Sequence, residues 1–191
     1  VTVLNIFDID DTLFQTKAQP KIKTETGVIK SLNAGEFIDY KLKPGESFDF
    51  SEYTDSKLFY DTSIPNQDIW QIAQSAILES LENSLSRTVI VTARSDLDDK
   101  DIFLETFTKH GMAIENVHVF RAGNLQNGST PERKKIIIRN LLVNQQYTTV
   151  SLYDDQIDNL TAFLSLKNEF QSISFYAFLV ENGSVVSTII A

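Results

Sequence analysis

The chain has 191 residues and no cysteine, a length at which one domain buries a core unaided and a composition that excludes disulfide frameworks and cysteine-ligated metal sites. Its formal net charge of -9 argues against bulk electrostatic attraction to nucleic acid, and no apolar stretch reaches transmembrane length. A soluble, cytoplasmic protein without membrane attachment is expected.

The opening run Val3, Leu4, Ile6 and Phe7 reads as a buried parallel strand, and Asp8-Ile9-Asp10-Asp11-Thr12 follows where it ends. Open α/β sheets bind ligands at the carboxyl ends of such strands. Two carboxylates spaced by one residue share a side of the strand and repel unless a cation joins them or one is protonated, so a hard divalent metal is expected. A calcium-binding loop is excluded, because the sixth position is Leu13 rather than Gly and the twelfth is Gln19 rather than Glu. An acidic turn without chemistry is the alternative reading of this motif taken alone.

Residues 15–65 lack helical periodicity and carry turn signals around Gly27, Gly35 and Gly45. Short alternating runs at 28–31 and 36–40 predict a small antiparallel flap inserted into a single domain of 1–191. From residue 15 to 45 this segment has six lysines against three carboxylates, a basic stretch directly after the acidic motif. Asn66 is placed to cap a helix running to about Glu82, with Trp70 on its packing face.

Strands at 88–92, 117–120, 149–153 and 173–180 then alternate with helices at 98–110, 131–144 and 156–167. That order argues a parallel sheet with right-handed crossovers. Asn182-Gly183 marks a tight turn into a last antiparallel strand at 185–190. His110 and His118 have no partner at ligand spacing and receive no catalytic role.

Three more clusters fall at strand ends or at a helix start. Val89-Ile90-Val91 delivers Thr92 and Arg94, and Ser151-Leu152-Tyr153 delivers Asp154 and Asp155, with Asp158 a helical turn further on. So many carboxylates on one sheet edge are costly without a cation. Between them, Pro131 opens a helix bearing Lys134 and Lys135; Lys134 is preferred for an inward role, because its face carries more apolar residues.

In this order, Asp8-x-Asp10-x-Thr12, Thr92-x-Arg94, a helix-start lysine and Asp154-Asp155 with Asp158 resemble the four motifs of the haloacid dehalogenase (HAD) superfamily of phosphohydrolases. The resemblance implies an α/β, Rossmann-like core with a parallel sheet of order 5-4-1-2-3, helices on both faces and a small β-rich flap or cap at 15–65. It implies that Asp8 attacks a phosphoryl group to form an aspartyl phosphate and that Asp10 protonates the leaving oxygen and then activates water. Thr92 would bind the phosphoryl group, and Lys134 would offset its charge. Mg2+ would be held by Asp8, by the Asp10 backbone carbonyl and by Asp154 or Asp155. Asp11 stands where many members have Gly.

The short basic insertion and the Thr-x-Arg and Asp-Asp motifs look most like the polynucleotide 3'-phosphatase branch. The partner expected is therefore a phosphorylated substrate, with a nucleic-acid end as the narrower reading and Arg94 holding a neighbouring phosphate. A phosphatase of nucleotides or other small metabolites, and a silent binding module on the same fold, are the rivals. The oligomeric state is left open.

Overall fold

The computed structural model describes residues 1–144 and 146–191. The first strand, β1 (Val3–Phe7), is followed by β2 (Phe14–Gln15), β3 (Lys21–Thr24), β4 (Gly27–Ser31), α1 (Ala34–Asp39), β5 (Ser47–Asp49), α2 (Ser56–Thr62) and β6 (Ile64–Pro65). Next come α3 (Gln67–Glu82), β7 (Arg87–Thr92), α4 (Lys100–Lys109), β8 (His118–Arg121), α5 (Thr130–Val143), β9 (Thr149–Asp154), α6 (Ile157–Leu164), β10 (Ser174–Glu181) and β11 (Ser184–Ile190).

The main sheet runs β11-β10-β9-β1-β7-β8. Its first five crossover strands pair in parallel and reproduce the expected order 5-4-1-2-3, while β11 adds antiparallel to β10. Period-two alternation sorts the strand residues between two cores. Leu4, Ile6, Val89 and Val91 pack with Ile138, Leu142, Leu160 and Phe163 of α5 and α6. Phe7 and Ile90 face the other way, against Trp70 and Ala73 of α3 and Phe103 and Phe107 of α4. Each such side chain contributes about 1.5–3 kcal/mol by leaving water, so both faces of β1 hold its end in place.

The Asn182-Gly183 turn forms as expected, with both residues at positive φ, the conformation a two-residue hairpin of this twist demands.

The insertion differs from the expected flap. A three-stranded sheet of order β4-β3-β5 is present, but residues 36–40 are not a strand. Asn33 accepts the N–H of Glu36 at 2.9 Å while Glu36 accepts that of Asn33 at 2.9 Å, a reciprocal cap that nucleates α1 instead. A second helix, α2, starts at Asp55, whose carboxylate accepts the N–H of Leu58. It buries Phe59 in the core beside Phe14 and Phe103. The segment's ends meet where β2 pairs with β6.

Among the described residues, no helix is long and apolar enough to cross a membrane.

Candidate active site

After β1 the chain turns tightly. Thr12 and Phe14 both donate to the Ile9 carbonyl, at 3.3 and 3.0 Å, and Asp11 donates to Phe14 at 2.8 Å. Ile9, Leu13 and Phe14 are fully buried, so the apolar residues of this loop anchor it and leave the acidic ones at its mouth. Asp11 lies at φ 58. That left-handed conformation explains why Gly suits this place and why Asp, which tolerates it, is accepted. Just before α3, Asn66 donates its side-chain amide to the Thr12 carbonyl at 2.7 Å and its backbone N–H to the Leu13 carbonyl at 2.9 Å. It caps no helical N–H with its side chain, as its amide braces the loop instead.

Asp8 continues the parity of Leu4 and Ile6 and so emerges on the α5 side. There Lys134 places its ammonium 2.8 Å from Asp8 Oδ1 and 2.8 Å from Asp154 Oδ2, with its side chain 2% exposed. Lys134, Ile138 and Leu142 form the buried stripe of α5, so of the two adjacent lysines it is Lys134 that faces inward. The contact with Asp8 is an ion pair without directed hydrogen-bond geometry, whereas that with Asp154 is a hydrogen bond. Asp154 also accepts the Gln156 N–H at 2.9 Å and the Asn159 amide at 2.8 Å.

Ligand oxygens of Asp8, Asp154 and Asp155 lie within 4.8 Å of one another. Three carboxylates against one ammonium leave an excess of negative charge in a mostly buried space. Burial pushes the Asp8 carboxyl well above its ordinary value; Lys134 opposes this, and Asp154, Asp155 and Asp10 add to it. Asp155 is pushed up to about 7 by burial and then by Asp154. Burial disfavours the Lys134 ammonium too, but Asp154 and Asp8 outweigh it and hold the amine above its usual range. An all-oxygen donor set with unbalanced charge and an Asp8 oxygen lacking a directed hydrogen bond fits a hard divalent cation.

Asp10 turns to different partners. Arg94 grips it with Nε to Oδ2 at 2.9 Å and Nη2 to Oδ1 at 2.7 Å, and Thr16 donates to Oδ1 at 2.7 Å. The third guanidinium nitrogen donates to the Tyr53 carbonyl at 2.8 Å, and the Arg94 group lies over the rings of Tyr53 and Phe59. Arg94, expected to hold a neighbouring phosphate, is therefore buried and engaged at every nitrogen, and it faces Asp10 rather than an open surface. Thr92 is fully buried at the end of β7. Its Oγ1 accepts the Arg94 N–H at 3.1 Å, which leaves the hydroxyl proton free to donate.

Other expectations shift. Asp158 is exposed and outside the triad, because α6 presents Asn159 to Asp154 instead. Lys21 is bound to Glu52 at 2.6 Å and Lys23 lies 3.9 Å from Asp49, whereas Lys17, Lys41 and Lys43 are exposed. Sequence reasoning took Asn66 for a helix cap only, and it missed Asn159, Thr16 and Gly123. A Cβ on Gly123 would lie 2.5–2.7 Å from backbone atoms of Ala93, Arg94 and Ser95, so this glycine lets the loops after β7 and β8 touch.

No family model and no curated protein matches the chain. Among solved structures, the HAD domain of the effector protein Lem4 from Legionella pneumophila, as an inactive mutant, superposes with a TM-score of 0.58 at 14% identity, covering 97% of this chain and 89% of that one. A second structure of the same domain superposes at a TM-score of 0.55 and 15% identity, with coverage of 97% and 90%. The chain has a HAD fold. In a HAD fold the acidic triad and Lys134 sit at the carboxyl ends of the central strands, where an open α/β sheet places its ligand site.

Proposed function

We propose that the chain is a phosphomonoester hydrolase that works through Asp8. The observation that carries this reading is the juxtaposition of a buried strand-end carboxylate with Lys134 at 2.8 Å and with two further carboxylates. A divalent cation, Mg2+ by its preference for carboxylate oxygen, would be held by Asp8, Asp154 and Asp155 and would supply positive charge against the phosphate dianion.

In the first step an Asp8 oxygen bonds to phosphorus and the bond from phosphorus to the leaving oxygen breaks. Asp10 gives that oxygen its proton. In the second step Asp10 takes a proton from water, the water oxygen bonds to phosphorus, and the phosphorus bond to Asp8 breaks to release inorganic phosphate. Asp10 Oδ1 is filled by Arg94 and Thr16, while Oδ2 accepts from Arg94 alone and keeps a lone pair for this exchange. Arg94 is thus a positioning residue that fixes where the proton is given. Lys134 offsets charge on the phosphoryl group, and Thr92 donates to one of its oxygens.

Within this activity, a phosphorylated nucleic-acid end is the narrower reading. It is supported by exposed Lys17, Lys41 and Lys43 on the insertion and weakened by the pairing of Lys21 and Lys23. The test is phosphate release, with Mg2+ and with EDTA, from p-nitrophenyl phosphate, a 3'-phosphorylated oligonucleotide, free nucleotides and sugar phosphates. Turnover that needs Mg2+ and disappears in Asp8→Asn is expected. Near wild-type turnover by Asp8→Asn would refute the nucleophile, and preference for free nucleotides would refute the nucleic-acid reading alone.

A further inference from the structure

The main sheet ends differently at its two edges. At one edge β8 is four residues long and carries His118 and Arg121, the short and charged form by which proteins discourage strand addition. At the other, β11 is seven residues long, Ser184–Ile190, with no charged residue and no proline. Val186, Ile189 and Ile190 are 54%, 38% and 67% exposed. Charge and proline, the commonest edge protections, are absent from this strand; a register shift at Val186, between the Leu179–Ser187 and Val180–Val185 pairs, leaves Ser187–Ile190 as its regular stretch.

Its outward hydrogen-bonding groups follow from its pairing. Phe175 and Ala191 exchange both backbone bonds, at 2.9 and 3.0 Å, and Ala177 and Leu179 lie opposite Ile189 and Ser187. By the alternation of an antiparallel ladder, Ile189 and Ser187 bond inward to β10, while Thr188 and Ile190 aim N–H and C=O at the free edge.

We propose that two copies of this chain join through β11, edge to edge and antiparallel about a two-fold axis, making one continuous sheet across both. Overlap of the whole strand centres the axis at Ser187 or Thr188. β-Branched residues then lie across from one another, a favourable cross-strand arrangement, and the same patch serves both partners as a two-fold interface requires.

Charge selects this orientation. In a chain of net charge -9, β11 is a place where two copies meet without opposing carboxylates. Its Ser184 end is acidic: Ser184 donates to Asp68, and Glu181 lies opposite Ser184 on β10. Antiparallel pairing holds the acidic ends about 20 Å apart, six strand rises of about 3.4 Å, well beyond the screening length of about 8 Å. Parallel pairing would set them side by side. A single strand pair buries less than a standard interface of about 1,600 Å², so a dissociation constant in the micromolar range is expected.

Sedimentation of the whole chain from about 1 μM to about 500 μM brackets that range and should show a monomer–dimer equilibrium. Thr188→Lys with Ile190→Lys should weaken it by about tenfold or more through like-charge opposition, with the melting temperature unchanged because both side chains are exposed. The chain has no cysteine, so an introduced thiol reports one position. On oxidation, Ser187→Cys or Thr188→Cys should form a disulfide dimer faster than His118→Cys at the opposite edge, a readout that stands even if the lysine variant fails to fold. A monomer across the whole range, a dimer indifferent to the lysines, or cross-linking no faster than with His118→Cys would each overturn the proposal.

Discussion

Lys134→Met removes the ammonium from the middle of the site while keeping most of the side-chain volume. The lysine is 2% exposed and lies 2.8 Å from both Asp8 and Asp154, so the variant leaves two buried carboxylates without their cation. Breaking a buried pair from one side costs about 3–5 kcal/mol. In a chain of this size each kcal/mol moves the melting temperature by about 2–4 °C, so a fall of roughly 6–20 °C is expected. The assay is thermal unfolding followed by circular dichroism in EDTA at pH 7, with Lys135→Met, half-buried on the neighbouring face, as the control. Lys134 opposes the upward push on Asp8, so its loss raises that carboxyl further. A carboxyl held high in the folded state costs stability as pH rises from its unfolded value of about 3.9 through its folded one. The deficit should therefore shrink toward pH 4 and widen toward pH 8. A loss under about 1 kcal/mol, or one equal to that of Lys135→Met, would refute a central role for the ammonium.

The wild type in EDTA should itself lose stability as pH rises from about 4 through 7, because Asp155 is held up to about 7 and Asp8 is raised; calorimetry against pH reads the slope. Saturating Mg2+ should flatten that slope and, at about 100 times its dissociation constant, add roughly 2.7 kcal/mol, while identical melting points across a titration would exclude a cation site. Arg94→Lys loses the two-pronged grip on Asp10, so kcat should fall by about 10² with KM nearly unchanged; an equal rise in KM would mean that Arg94 meets substrate. Gly123→Ala drives a Cβ into the backbone of residues 93–95, which has no flexible end to yield, and should cost about 1–3 kcal/mol in chemical denaturation.

The order of the sheet's strands was implied only by the family resemblance, whereas its parallel pairing, the strand-end placement of Asp8, Thr92, Asp154 and Asp155, and the inward choice of Lys134 were legible in the residues themselves. Each depends on a short-range period: two along a strand, about three and a half along a helix. The hairpin at Asn182-Gly183 was legible for the same reason, since the turn's chemistry lies within two residues.

What only the tertiary structure decided are the partners. Arg94 follows Thr92 at a strand end, where an open phosphate site and an intramolecular carboxylate look alike in sequence, and the packing of the Tyr53 and Phe59 rings around it turns it to Asp10. Asn159 rather than Asp158 reaches Asp154 because the phase of α6 is set by burying Leu160 and Phe163. In the insertion, Glu52 and Asp49 neutralise lysines that composition counted as free. A local pattern determines which residues arrive at the edge of the sheet, whereas the pairing of their charges joins residues far apart in sequence, 84 positions for Arg94 with Asp10 and more for Lys134 with Asp8, and closes only when the two cores pack.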